Sequence, residues 1–314
     1  MQTKKISKSR HPSEKNYFQR FGVYFIKNWQ LYIIFLLPAL ALTIIFKYLP
    51  MFGVIIAFEE YSPVKGYFGS DWIGLYNFKR FFSSTEFARL LLNTLKLSGF
   101  NLIWSFFPPI VLALLLNRVR HKGMRKNAQL IVYLPYFIST IVLAGMVRLF
   151  FSPVGPINAL MGSSVDYMTE PSWFRTLYIG SGIWQSAGWA SIIYSATLAG
   201  VSQELIEAAR IDGATILQQI KNVELPALKP VIVIQFILSA GNIMSIGFEK
   251  VYAMQTDLNK VTSDIIPTYV YRMGLEMGDY GYSTAVGLFN TVINLILLVA
   301  VNMIVKKLNE GEGL

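Results

Sequence analysis

EAARIDGATILQQIKNVELP, residues 207–226, is a polar interruption in an otherwise apolar chain. Around and within it, Leu205, Ile206 and Ala209, then Ile216, Leu217, Ile220 and Val223, recur at three- and four-residue steps. That spacing predicts two short amphipathic helices. Asp212-Gly213 is expected to separate them, because Gly takes the left-handed backbone that ends a helix and Asp tolerates a turn. Pro226 and Pro230 then mark the return toward the next apolar run. An interfacial helix resting on lipid headgroups would share the pattern. It would not explain why Glu207, Arg210 and Asp212 stand among small residues.

The rest of the chain sets the class. Of its 314 residues 54% are hydrophobic and 15% charged, where a soluble domain carries about 25% charged residues. Mean hydropathy is +0.45. Apolar runs recur from near the N-terminus to the end, which reads as one integral membrane unit. Cysteine is absent, which excludes disulfides, thiolate metal sites and a Cys nucleophile. The net charge of +10 invites a nucleic-acid reading, but the basic residues cluster at span ends, as topology signals do.

Crossing roughly 30 Å of hydrocarbon takes about 20 apolar residues, and six runs of about that kind are expected as helical spans: 31–49, 90–116, 130–151, 177–198, 231–246 and 284–305. The fifth is short and interrupted by Gly. A basic, polar leader, 1–30, precedes the first run, so that run reads as a retained span and not a signal peptide. The leader holds Lys4, Lys5, Lys8, Arg10, Lys15, Arg20 and Lys27, and the turn after the second span holds Arg118, Arg120, Lys122, Arg125 and Lys126. The last run leads into Lys306 and Lys307, then a tail, 308–314, whereas acids collect after the first, third and fifth runs. Both termini are therefore expected in the cytoplasm. The opening stretch, between the fourth and fifth spans, falls on the same face.

Glu207-Ala208-Ala209, three residues, Gly213, nine residues, then Val223-Glu224-Leu225-Pro226 resembles the EAA loop of ABC importer permeases, the membrane subunits fed by a substrate-binding protein. The family pattern has Ile where Val223 stands. WIGLYNFKRFF (72–82), NTL (93–95) and YLPYFIS (133–139) are similar to carbohydrate-importer permeases. KYLPMFGVIIAFEEY (47–61) and TYVYRMGLEMGDYGYSTAVGLFNTVIN (268–294) look like the branch that handles polysaccharide fragments and complex oligosaccharides. The resemblance runs over about 31–307, the expected transmembrane domain, with the loop at about 202–228. It implies an all-α polytopic protein of the bacterial cytoplasmic membrane. Its partners would be a second, related permease in a heterodimer, two ATPase subunits, an extracellular or periplasmic sugar-binding protein and a glycan. In such importers the loop is a coupling helix seated on the ATPase. Carried over, Ala208 and Ala209 allow close approach, Glu207 offers a carboxylate, and Gly213 sets the angle, with Arg210, Asp212, Leu225 and Pro226 completing the coupling set.

The chain has no G-x-x-x-x-G-K-[ST] loop to cradle nucleotide phosphates, so ATP and Mg are expected on partner subunits and no cofactor on this one. His11 and His121 lie in basic segments with no ligand set or nucleophile to serve. No carboxylate pair falls within a span, which weakens a proton relay. Lys47, Lys96 and Arg148 lie in or near apolar runs, where they either snorkel to the interface or, for Lys96 and Arg148, face the pathway and meet an anionic sugar. Asn93, Asn101, Trp104, Trp184, Gln185, Trp189, Gln235, Asn242 and Ser245 are polar or aromatic groups within spans. They suit either a sugar pathway or interhelical hydrogen bonds and interfacial belts. Pro108-Pro109 is expected to kink the second span. The long external segments, 59–86 and 247–283, exceed ordinary connections and read as docking surface or as a cap on the bundle. A secondary carrier or channel working alone is the competing class, and a membrane-bound enzyme is a distant third.

Overall fold

The computed structural model describes residues 29–241 and 247–308. His11, Asn242, Ser245, nearly all of the leader 1–30 and the tail beyond 308 lie outside the described residues. The described chain is dominated by helix, with one two-stranded ribbon. It divides into two units, ending and beginning at Ile55 and Ile56.

The first unit is the greater part of α1 (Trp29–Phe58), which is 30 residues long with a hydropathy of 2.1. Its apolar side chains are exposed, Phe35 and Phe46 at 72% each. Such a helix needs hydrocarbon or another chain around it.

The second unit opens with β1 (Glu59–Glu60) and β2 (Asp71–Trp72), paired antiparallel with Glu59 opposite Trp72. Asn77 at the start of α2 (Tyr76–Phe82) donates to the carbonyls of Ala57 and Glu59 and so fixes the ribbon to the helix. Then come α3 (Glu86–Arg118), α4 (Lys122–Tyr133), α5 (Thr140–Phe150), α6 (Pro156–Met161) and α7 (Phe174–Ala199). α8 (Gln203–Ile211) and α9 (Ile216–Gly241) follow, then α10 (Phe248–Met254), α11 (Ile266–Tyr271) and α12 (Tyr280–Leu308). The most extensive packing is of α3 on α7, followed by α9 on α12.

Three apolar clusters hold this unit. Phe81, Leu90, Ile266, Tyr269, Tyr282 and Val286 join α2, the start of α3, α11 and α12. Leu97, Leu143, Val147, Phe174, Tyr178, Val251 and Met254 join α3, α5, α7 and α10. Ile110, Ala113, Tyr194, Leu198 and Leu228 close the other end between α3, α7 and α9. Burial of apolar area at about 25 cal/mol per Å2 is their driving force only where water is the alternative. Within a bilayer, close packing and hydrogen bonds carry more.

Among the described residues α1, α3, α9 and α12 are long and apolar enough to cross a membrane, and the pair α4–α5 makes up to five. The expected third span, 130–151, is not one helix. α4 passes into a tight turn at Leu134–Phe137, Ile138 is extended, Ser139 caps α5, and the axis bends by 99°. Pro135 removes an N–H and Ser139 supplies an acceptor to Val142 N–H at 3.3 Å, so both sides of the break are provided for locally. The expected fourth span is the 26-residue α7, which is rich in Gly, Ser and Trp.

The prolines expected to kink the second span and to mark the return toward the fifth lie inside continuous helices. α3 runs for 33 residues through Pro108 and Pro109 without interruption. Pro226 and Pro230 lie inside α9, which begins at the second half of the opening stretch and continues as the expected fifth span. A π turn at Ile220–Glu224, where Leu225 N–H donates to the Ile220 carbonyl, shifts the hydrogen-bond register just before Pro226. The proline's missing donor is absorbed by that shift.

Candidate functional site

The opening stretch folds as an elbow. Ser202 caps α8 by accepting from Glu204 N–H at 3.2 Å, and α8 ends at Ile211. Gly213 has φ +76°, the left-handed conformation, and the N–H of Ala214 donates to the Ala209 carbonyl at 2.9 Å. Thr215 then opens α9 with a reciprocal capping box to Gln218. The two helices and the Asp-Gly turn stand where the periodicity puts them.

Which face is buried differs from a simple apolar stripe. Ile206 is 6% exposed. Leu205, Ile211, Ile216 and Leu217 are exposed, Ile211 at 87%. Glu207, Ala208, Arg210, Asp212, Gly213 and Pro226 are exposed too, and Ala209 and Leu225 are half-buried. Besides Ile206, the side chains that turn inward are polar, Gln219 and Glu224. Glu224 Oε2 accepts from Arg118 Nη2 at 2.8 Å and its Oε1 from Asn117 Nδ2 at 2.9 Å. Arg118 Nη1 donates to Gln219 Oε1 at 3.0 Å. The residue-by-residue reading missed this cluster because its members are more than a hundred positions apart.

A cavity of about 800 Å3 lies between α3, α7 and α9. Asn101, Trp189 and Gln235 line it, with Ser98, Ser105 and Ser239 adding hydroxyls and Phe106 and Tyr194 adding ring faces. Hydroxyl and amide groups among aromatics are the lining that a polyhydroxylated ligand requires. Three of the candidate pathway residues are thus brought together. Trp104 and Trp184 line a separate, apolar groove of about 630 Å3 with Phe107, Leu115 and Ile131. Lys96 is exposed. Asn93 is 5% exposed; its amide donates to the carbonyls of Val261 and Asp264 and accepts from Arg175 at 3.0 Å. Gln185 donates to the Ile138 carbonyl at 2.7 Å, which satisfies a backbone acceptor freed by the α4–α5 break.

α7 shapes that break further. Gly188 approaches the Val132 carbonyl so closely that any side chain would collide with it. One turn from Gln185, Trp189 stacks on Tyr136, with ring centroids 4.6 Å apart and planes 7° from parallel. Trp189 is therefore common to the wall of the cavity and to the support of the break. Of the other basic residues, Arg148 donates to the Ala253 carbonyl at 3.3 Å, and Lys47 is exposed. His121 caps α4 by accepting from Met124 N–H at 3.3 Å. Among the described residues no His, Cys, Asp and Glu group has the arrangement of a metal site.

On the far side of the bundle from the elbow, Lys250 of α10 is 7% exposed. Its Nζ donates to the Tyr178 carbonyl at 2.7 Å and lies 4.7 Å from the centroid of that ring. Burial lowers the ammonium from 10.5 to about 8. Asp257, exposed beside Lys260, is held below the usual carboxylate range by the hydrogen bond from that ammonium.

Comparison with known proteins adds kinship to this geometry. Residues 97–310 match the family model "Binding-protein-dependent transport system inner membrane component". Protein LplB of Bacillus subtilis (strain 168) is 42% identical over 284 residues, covering 89% of each chain. The polygalacturonan/rhamnogalacturonan transport system permease protein YteP of the same organism is 40% identical, covering 94% of this chain and 93% of its own. A chain in the crystal structure of a bacterial alginate ABC transporter, bound to an alginate pentasaccharide-bound periplasmic protein, superposes with TM-score 0.84 at 37% identity. That match covers 94% of this chain and all of the other. The apolar helices and these relatives make the chain a multi-pass protein of the cytoplasmic membrane. It belongs to the family of binding-protein-dependent transport system inner membrane components.

Proposed function

We propose that this chain is one permease subunit of an ATP-driven importer that takes oligosaccharides or polysaccharide fragments from a binding protein and passes them to the cytoplasm. The observation that carries the reading is the elbow. Two capped helices meet at a left-handed Gly213 and present exposed Leu205, Ile211 and Leu217 beside Glu207, Arg210 and Asp212. An apolar, charged and geometrically fixed surface of this kind is suited to a cleft on another protein. In this reading Glu207, Ala208, Ala209, Arg210, Asp212, Gly213, Leu225 and Pro226 form the coupling set, seated on an ATPase that supplies ATP and Mg chemistry.

The rest follows from that assignment. Six crossings with both termini inside put the elbow on the cytoplasmic face, and the positive charges around α3 and α4 support this orientation. A second, related permease completes the pathway. Asn101, Trp189 and Gln235 are the pathway residues with the best support, since they share one cavity; Lys96, Asn242 and Ser245 stay in the proposed lining, whereas Asn93 and Gln185 are engaged in packing and Trp104 and Trp184 line the separate groove. The glycan class rests on the polygalacturonan/rhamnogalacturonan permease and the alginate transporter as relatives.

The test is mass spectrometry of what copurifies with the chain from its native membrane, with Gly213→Pro beside it. Proline fixes φ near −65° and cannot adopt the +76° of Gly213. A second permease, an ATPase and a binding protein are expected with the wild type, and the variant is expected to lose the ATPase. A chain that purifies alone and transports on a proton gradient with ATP held constant would replace this reading with that of a secondary carrier.

A further inference from the structure

Glu224 is 1% exposed and lies in the π turn of α9. Its two oxygens are taken by Arg118 and Asn117, the last two residues of α3. Arg118 also donates to Gln219, and Gln219 Nε2 donates to the Ala214 carbonyl at 2.9 Å. Ala214 follows the Gly213 hinge. One continuous chain of hydrogen bonds thus runs from the end of α3, through the first turns of α9, to the elbow.

Three features set this cluster apart from ordinary packing. A buried carboxylate with a single arginine is expensive to keep unless geometry is good, so an apolar contact would serve adhesion alone. It sits on a π turn, a form frequent at functional sites, whose hydrogen bonds lie between two registers. And both helices that it ties together line the cavity, α3 through Asn101 and Ser105 and α9 through Gln235 and Ser239.

We infer that the Arg118–Glu224 pair is the joint that carries movement of the elbow into α3, so that elbow and helix end move as one body while the cavity between α3 and α9 is reshaped beyond it. The inference rests on the importer reading. Arg118 and Glu224 touch no substrate and act as positioning residues. Directional ion pairing suits a joint, because it resists sliding and rotation where apolar side chains repack.

The experiment uses the assembled transporter in lipid, with spin labels at Leu115 on α3 and Asn222 in the first turns of α9, both exposed and neither in the coupling set. The distance between labels is measured without nucleotide and after trapping with ATP and vanadate. In the wild type it is expected to stay constant. In Arg118→Met/Glu224→Met, where apolar groups of similar size keep the fold, trapping is expected to change it by more than about 5 Å, one helical turn. Glu224→Gln serves if that variant fails to assemble, since it keeps the shape and should also loosen the pair. A wild-type distance that changes on trapping, or a constant one in the variants, overturns the joint. Absence of an ATPase from the wild-type preparation overturns the importer reading, and the joint with it.

Discussion

The two ends of α3 are each fixed by a buried carboxylate, and the two fixings differ. At the start, Asp264 is fully buried and accepts from Arg272 at 2.7 and 3.2 Å, from Arg89 at 3.5 Å and from Thr268 at 3.0 Å. Arg89 also pairs with Glu86, and Asn93 ties the Asp264 backbone to Arg175. At the other end Glu224 has one arginine and one amide. Charge shared among several partners of different elements makes a cage, and a single pair makes a joint. Cross-linking distinguishes a frame from a moving part, since a cage must lose several bonds at once before its members shift.

Asp264→Ala is the sharpest way to break the comparison. It leaves Arg272 without its carboxylate partner and Arg89 with Glu86 alone, and a loss of about 3–5 kcal/mol is expected. Thermal unfolding in detergent measures it, and a failure to accumulate folded protein is the extreme outcome. Glu224→Ala should cost less, about 2–3 kcal/mol, because removing one partner exposes fewer orphaned groups. Arg118 is 23% exposed and can turn toward water. If the two variants unfold alike, cage and pair are energetically the same and the contrast fails.

A third buried charge has neither cage nor pair. Among the described residues no carboxylate lies within 4.0 Å of Lys250. Its ammonium is lowered from 10.5 to about 8 by burial, so the folded state binds fewer protons than the unfolded state between those values. The charged form is penalised in full below about pH 8, and the penalty is relieved as pH rises through 8 toward 10.5. Wild-type stability relative to Lys250→Met is therefore expected to rise by about 1 kcal/mol between pH 7 and 9. Paired unfolding curves at the two pH values check it. A flat difference would mean that Lys250 is solvated or paired after all.

What could be read in advance follows the same division between local and distant causes. The elbow was legible because helix periodicity, Asp212-Gly213 and the capping residues are all local. Its orientation was not. The spacing says that Leu205, Ile206, Ile216 and Leu217 make amphipathic helices, but at the start of α9 the Arg118 partnership, 106 residues away from Glu224, takes Gln219 and Glu224 inward while Ile216 and Leu217 stay exposed. The break in the expected third span hid in the same way. Residues 130–151 are apolar but for Ser139, Thr140 and Arg148, Pro135 and Ser139 are the local signals, and the distant supports are Gln185, 47 residues beyond the carbonyl it binds, and Gly188. In α9, by contrast, the prolines are visible and lie where the chain returns to the apolar run, inside a helix whose π turn upstream absorbs what a proline removes. For the cavity, residue type separated polar from apolar but not pathway from packing. Asn93 and Asn101 lie on one helix, and the first is enclosed by backbone partners while the second lines the open space.

The smallest effect belongs to a pair that looks as good on paper as any of these. Lys65 Nζ lies 2.8 Å from Asp71 Oδ2 across the turn of the ribbon, with side chains 51% and 72% exposed. The hydrogen bond that the lysine donates to Asp71 raises it above its ordinary value, yet water competes for both partners and two mobile side chains must be held in one geometry. Asp71→Asn is expected to leave the unfolding midpoint of the purified protein unchanged, at low salt and high salt alike. The distance here matches the Arg118–Glu224 contact, so distance cannot be what separates them. If Asp71→Asn destabilised the protein as Glu224→Ala does, the proximity of opposite charges would suffice to explain both; if it does not, burial is what makes a carboxylate into a fixing point of α3.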